Sequence, residues 1–264
     1  MTDLDRFRTL HAGGVLVLPN AWDVASALLA EQAGAAAVAT TSGAVAWSLG
    51  AADGDQLDRG LIVEAVRRIA RAVSVPVTAD IESGGPTAAD VAETVRAVVH
   101  AGAVGVNLED AGDPLREVSE QAERIAAAKA AGPVWVNART DVYLRSVGSP
   151  EERLPETLRR AAAYVEAGAD SVFVPGVVDP SVLRTLAAEI PRPLNVLAGP
   201  GAPSVPELAS LGVRRVSLGT ALAEAAYGAA RRAAAEVLTS GTYSSLEGGI
   251  GYGELQALLA KASG

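Results

Sequence analysis

The chain has 264 residues, 49% of them hydrophobic and 20% charged, with a formal net charge of −9. That length suits one large α/β domain as well as two ordinary ones, and the apolar fraction supplies a sizeable core. Cysteine is absent and histidine occurs only at His11 and His100, which excludes disulfides, thiolate chemistry and a multi-histidine metal site. Lysine occurs only at Lys129 and Lys261, neither of them where catalysis is expected, so a Schiff-base enzyme is unsupported. The acidic balance argues against a nucleic-acid partner and against an anionic membrane surface. Carboxylates, arginines, hydroxyls, backbone amides and a hard metal ion remain as carriers of chemistry.

The first ten residues, MTDLDRFRTL, mix both charges and lack the apolar core of a signal peptide. The most apolar stretch, 33–47, is broken by Gly34, Thr40, Thr41, Ser42 and Gly43 and falls short of the ~20 apolar residues of a membrane span. A soluble, cytoplasmic protein is the expectation.

Along the chain, short β-branched runs alternate with helix-spaced segments. The runs are 14–20, 36–43, 75–82, 104–110, 134–141, 171–176, 193–199 and 214–220. Between them, segments such as Leu61–Ala72, Ala88–Ala101, Glu117–Ala131 and Glu151–Ala167 carry apolar residues at helical spacing. Ala-Gly-Ala recurs at 33–35, 101–103 and 167–169, where glycine serves as a helix C-cap. Near-continuous apolar strands separated by helices imply parallel strands covered on their outer face. Eight such units point to a (β/α)8 TIM barrel, with an open doubly wound sheet as the alternative. No linker divides residues 1–241. The tail 242–264 reads as a Gly-rich connection and a short apolar helix, Glu254–Ala260, too short to be stable alone.

Barrel enzymes work at the C-terminal ends of their strands. The run at 75–82 closes on Asp80-Ile81-Glu82, two carboxylates two residues apart and hence on the same side of a strand. The next two close on Asn107-Leu108-Glu109-Asp110 and Asn137-Ala138-Arg139-Thr140-Asp141. Carboxylates converging from adjacent strands repel unless a cation neutralises them, and an oxygen-only set favours Mg2+ or Mn2+ at Asp80, Glu82 and Glu109. Arg139 would face an anionic substrate, and Ser42-Gly43-Ala44 opens a loop whose amides could cradle a carboxylate. Against this stand plainer roles. Asp110 and Asp141 read equally as helix caps, His11, His100 and Lys129 as structural or solvated, and Trp22 and Trp47 as packing or pocket lining. Gly199-Pro200-Gly201 and Leu218-Gly219-Thr220 give a weak phosphate-loop signal.

The motifs LPNAWDVASA, TTSGAVAWSLGAADGD, VPVTADIESG, VGVNLEDA and VNARTDVYLR, in this order, resemble the isocitrate lyase/phosphoenolpyruvate mutase superfamily from residue 18 to about residue 241. The resemblance implies a (β/α)8 barrel that binds Mg2+ and small oxycarboxylates. It assigns carboxylate binding to Ser42 and Gly43, metal association to Asp80, Glu82 and Glu109, and the substrate-gripping arginine to Arg139. Asn195 matches its seventh-strand asparagine. Asp53 matches an acidic residue beyond Leu49-Gly50 and is the candidate base or electrostatic partner, a role that spacing alone does not suggest. Two departures matter. The lyases' Lys-x-Cys-Gly loop is replaced by the short 111–116 segment, without Lys or Cys, and the lyases' Glu after the sixth-strand proline is replaced by Gly176, after Pro175. Isocitrate lyase itself is therefore nearly excluded, and the mutases' gating loop is missing too. The expected activity is Mg2+-dependent cleavage of a C–C bond in a small 2-oxo or 2-hydroxy acid through an enolate, by a lyase or hydrolase. Phosphonate phosphorylmutation and a non-catalytic 2-oxo acid binder are the alternatives. The resemblance also implies a homo-oligomer, tetramer or dimer, with the C-terminal helix exchanged between subunits.

Overall fold

A computed structural model describes residues 1–262; the last two residues of the expected tail lie outside the described residues. Strands β1 (Leu16–Leu18), β2 (Asn20–Ala21), β3 (Val38–Thr40), β4 (Val77–Asp80), β5 (Gly105–Glu109), β6 (Trp135–Arg139), β7 (Ser171–Val174), β8 (Leu194–Leu197) and β9 (Arg215–Ser217) form one sheet. Its order is β1-β9-β8-β7-β6-β5-β4-β3-β2, parallel at each pairing. β1 and β2 are one run interrupted at Pro19, which has no N–H to donate. The first half pairs with β9 and the second with β3, so the sheet closes into the (β/α)8 barrel and the open-sheet alternative falls.

Helices α1 (Asp3–Ala12), α2 (Val24–Gln32), α3 (Ser42–Ser48), α4 (Arg59–Ala72), α5 (Ala88–His100), α6 (Val118–Ala130), α7 (Pro150–Glu166), α8 (Pro180–Glu189), α9 (Val205–Ser210) and α10 (Ala221–Ser240) surround or follow the strands. Several start where the sequence places a hydroxyl or carboxylate N-cap: Thr87 on α5 and Ser204 on α9 complete capping boxes with Asp90 and Glu207. The Ala-Gly-Ala stops work as expected. Gly34, Gly102 and Gly168 take φ of 96°, 111° and 104°, a left-handed backbone that disfavours other residues. α4 buries Val63, Val66 and Ile69, one stripe at helical spacing, against the barrel wall. Burying each such side chain stabilises the fold by roughly 1.5–3 kcal/mol.

Strand alternation sorts the rest. Val106, Leu108, Val136 and Ala138 pack outward against Val95, Val98 and Ile125 of the helices. The intervening Asn107 and Asn137 face inward and hydrogen-bond to each other at 2.8 Å. Arg215 Nη2 donates to the same Asn107 Oδ1 at 3.1 Å. The floor is a plug formed by α1. Its Leu4 and Phe7 pack with Leu16, Leu18 and Trp135, and the His11 ring stacks on Trp135 with centroids 4.1 Å apart.

Two local expectations change. The C-terminal helix, α11, runs Tyr252–Ala262, longer at both ends than its apolar run, because helical hydrogen bonding continues through polar residues. Lys129 is not on a solvated face: its Nζ bonds Asp170 at 2.7 Å and Val134 O at 2.9 Å, tying α6 to the strands beside it. Among the described residues no helix is long and apolar enough to cross a membrane.

Candidate active site

Acidic side chains crowd around one arginine at the C-terminal mouth. Arg139 and Glu109 end β6 and β5 as register partners, and Arg139 Nη1 sits 2.7 Å from Glu109 Oε2. On its other edge Nε and Nη2 donate to Asp141 Oδ1 and Oδ2 at 2.6 and 3.0 Å, a bidentate fork. The fork takes two of the five guanidinium N–H donors, and Glu109 adds a charge contact at Nη1. The Phe173 ring lies 5.8 Å from the guanidinium carbon and shields one face. Burial opposes the charge, but Glu109 and then Asp141 outweigh it and hold Arg139 protonated.

Asp80 is the last residue of β4, and its backbone N–H donates to Thr40 Oγ1 at 2.9 Å. Its carboxylate accepts the Glu82 N–H at 3.2 Å and stands 3.5 Å from Ser42 Oγ. The strand stops there, so Asp80 and Glu82 are not two positions of one strand face. Glu82 lies in the following turn with φ 52°, and its carboxylate turns toward the loop between α3 and α4, accepting the N–H of Gly54 (3.4 Å) and of Asp55. Burial pushes Glu82 up to about 8, helped by neighbouring Asp55 and Asp53. Burial also pushes Glu109 up to about 8, against the pull of Arg139. Asp80 is raised by burial, again with Arg139 opposing.

Ser42, Gly43 and Ala44 form the first turn of α3 rather than a loop. The first intrahelical bond runs from Val45 N to Thr41 O at 3.1 Å, so the three preceding amides lie outside the helical ladder. Gly43 leaves room there: a Cβ would stand 3.1 Å from Asp53 Oδ2 and 3.0 Å from Thr220 Cγ2, so those side chains would have to give by a few tenths of an ångström. Asp53, which spacing could not place, is thereby set against this turn and beside Glu82.

Other candidates fall elsewhere. Asn195 is fully buried inside the barrel and exchanges hydrogen bonds with Ser217 Oγ at 3.2 Å. The Leu218 and Gly219 amides both donate to Asn20 Oδ1, at 2.8 and 3.0 Å, so they cradle no phosphate. Trp22 and Trp47 both meet Tyr227, with ring centroids 6.4 and 6.5 Å apart, and pack as an aromatic group. Asp110 and Asp141 are not helix caps. Asp55, Phe173 and the fork of Asp141 escape a reading of the sequence; of these only Asp141 leaves a signal there, its position two residues beyond Arg139.

The sequence model of the phosphoenolpyruvate phosphomutase family matches residues 7–238. The chain belongs to the isocitrate lyase/phosphoenolpyruvate mutase superfamily. It is 39% identical to an uncharacterized protein of Mycobacterium tuberculosis over 257 residues, 96% of this chain and 95% of that one. It is 33% identical to 2-methylisocitrate lyase of Bacillus subtilis over 201 residues, 72% of this chain and 65% of that protein. The solved structure of phosphonopyruvate hydrolase in complex with oxalate and Mg2+ superposes with a TM-score of 0.87 at 28% identity, covering all of this chain and 96% of that one. The members of this superfamily are enzymes: lyases, mutases and hydrolases of small acids.

Among the described residues, no three His, Cys, Asp or Glu side chains are grouped as a metal cluster. Asp80, Glu82, Glu109 and Asp53 nevertheless share the mouth and offer only oxygen, so direct ligation by one or two of them with water completing the shell is the arrangement they allow.

Proposed function

We propose that this protein is a Mg2+-dependent enzyme, lyase or hydrolase, that cleaves a C–C bond of a small 2-oxo or 2-hydroxy acid, with Mn2+ able to replace Mg2+. The observation that carries this reading is Arg139, forked by Asp141 and in charge contact with Glu109 with N–H groups still to offer, at the centre of an acidic mouth. A hard divalent cation fits that donor set, and Asp80, Glu82 and Glu109 are the residues that would hold it, directly or through water. Bound there, the ion would supply Lewis-acid polarisation of the substrate oxygens.

The chain's own residues do the rest. The free N–H groups of Arg139 and the first-turn amides of α3 bind the substrate carboxylate and oppose the negative charge that grows as an enolate forms. Phe173 and the burial of the mouth keep water from weakening those contacts. Asp53, held beside Gly43, is the group placed to take or hold a proton at the departing fragment. The lyases' glutamate has no counterpart for a steric reason as well: at Gly176, φ is 86° and a Cβ would lie 2.6 Å from Leu144 Cα.

Calorimetry with oxalate, an enolate mimic, tests the reading. Binding that needs Mg2+ and disappears in Asp80→Ala supports it; Mg2+-independent binding, or none, refutes it. A turnover screen of 2-oxo acids then includes phosphonopyruvate, because the oxalate- and Mg2+-bound relative is named for hydrolysing it. We also read the C-terminal arm, where Tyr243 and Tyr252 are 67% and 82% exposed, as a contact between copies of a homo-oligomer. Light scattering should then give a mass of two or four chains.

A further inference from the structure

Asp110 follows Glu109 and faces the opposite way, toward α7. It is wholly buried, and both carboxylate oxygens are occupied. Oδ2 accepts from Tyr164 OH at 2.7 Å and from Arg160 Nη1 at 3.0 Å, while Oδ1 accepts the backbone N–H of Asp141 at 2.9 Å. Its own N–H donates to Arg139 O at 3.2 Å. Asp110 therefore brackets the end of β6, holding the carbonyl of Arg139 with its main chain and the amide of Asp141 with its side chain. Asp141 is the residue whose carboxylate forks Arg139. The segment after β5 is drawn into the same network: Arg116 N donates to Asp110 O at 3.1 Å and Arg160 Nη1 donates to Arg116 O at 2.8 Å.

We propose that Asp110 is a positioning residue that aims the Arg139 guanidinium into the mouth and fixes the 111–116 segment against the same anchor. The proposal rests on the reading of Arg139 as the anion-binding group. A buried carboxylate carries a desolvation cost, and an apolar residue of similar size is commonly no less stabilising. What an apolar residue could not supply is an acceptor for the Asp141 amide. That amide sets where the Asp141 fork stands, and an arginine must be held to within about 0.5 Å to be useful. A carboxylate serving only to neutralise Arg160 would need no contact with the β6 end, since Glu156 already takes Arg160 Nε at 2.7 Å.

The test compares two variants of the full chain, checked for folding by their melting temperatures. Tyr164→Phe removes one donor to Asp110 and leaves its contact with Asp141 intact. Asp110→Asn keeps the size but replaces one acceptor oxygen with a donor. Two quantities are read: the Nε–H resonance of Arg139 in protein labelled with 15N-arginine, assigned by its loss in Arg139→Lys, and the oxalate dissociation constant with Mg2+ present. Tyr164→Phe should keep the resonance and hold oxalate affinity within about twofold. Asp110→Asn should shift or broaden the resonance and weaken oxalate tenfold or more. A lowered melting temperature with both quantities unchanged would overturn the proposal and leave Asp110 a purely structural residue. If Asp110→Asn does not fold, Asp110→Asn combined with Arg160→Met, which also removes the stranded cation, takes its place, and the same changes in resonance and affinity are expected of it. If the unaltered protein shows the resonance but binds no oxalate, the functional reading fails, and the resonance alone decides the role of Asp110.

Discussion

His11 makes the barrel floor acid-sensitive in a way that can be worked out from its surroundings. The ring is buried, stacked on Trp135, edge-on to Phe7 at 4.8 Å, and bonded through Nδ1 to Phe7 O at 3.0 Å. Burial, reinforced by the Arg215 charge, lowers its pKa from 6.5 to about 4. A histidine whose folded pKa is depressed takes up its proton more readily when unfolded, so stability falls as pH drops from about 6.5 to about 4 and changes no further below that. Each pH unit in this window costs about 1.4 kcal/mol. Between pH 7.5 and pH 5 the loss from this one group is therefore about 2 kcal/mol, and across the whole window about 3 kcal/mol. Urea unfolding of the unaltered protein and of His11→Phe, at both pH values, isolates the effect. Phenylalanine keeps the stack and cannot titrate. The unaltered protein should lose about 2 kcal/mol more than the variant on going to pH 5. Parallel losses in the two proteins would show that His11 is not held neutral, and the account of the floor would be wrong.

Arg139→Lys should weaken Mg2+-dependent oxalate binding on the order of 100-fold by calorimetry, because an ammonium cannot fork Asp141 and face a ligand together. An affinity within threefold of the original would remove Arg139 from the anion site. Gly176→Ala should lower unfolding free energy by about 2 kcal/mol or more, since the left-handed backbone and the Leu144 main chain both resist a methyl group there. A shift below about 0.5 kcal/mol in urea would mean that the β6 loop gives way freely.

The barrel is legible in the sequence because its signals are local. Short β-branched runs, helix stripes and the Ala-Gly-Ala stops each act within a few residues, and the structure keeps all eight runs as strands at or near their expected places. Asp80, Glu109 and Arg139 are legible for the same reason: they end strands, and strand ends of a barrel converge. The remainder of the site depends on contacts made through space. Glu82 reads as a second strand position, yet the chain turns after Asp80 and gives it φ of 52°, so it reaches Asp55 across 27 residues. Asp53 gains its place from the absence of a side chain at Gly43, which no periodicity reports. Asp110 reads as a cap because a strand-end aspartate commonly is one, and only α7 packing beside it reveals otherwise.

The order in which the mouth uses its charges bears on the substrate. Arg139 is forked by Asp141 and lies against Glu109 before any ligand arrives, so part of its charge is already offset. An anion therefore relies less on long-range attraction to this group and more on the directed N–H groups that the fork leaves. Direction favours a carboxylate oxygen, which accepts along a line, over a diffuse charge. The same geometry accounts for Glu109 and Asp141 standing on different edges of the guanidinium. With both on one edge the other would swing, and the free donors would point at solvent for part of the time. Held on two sides, and with Asp141 itself tethered to Asp110, the arginine keeps its remaining donors in fixed directions, which is the property that the proposed recognition of a small 2-oxo acid would require.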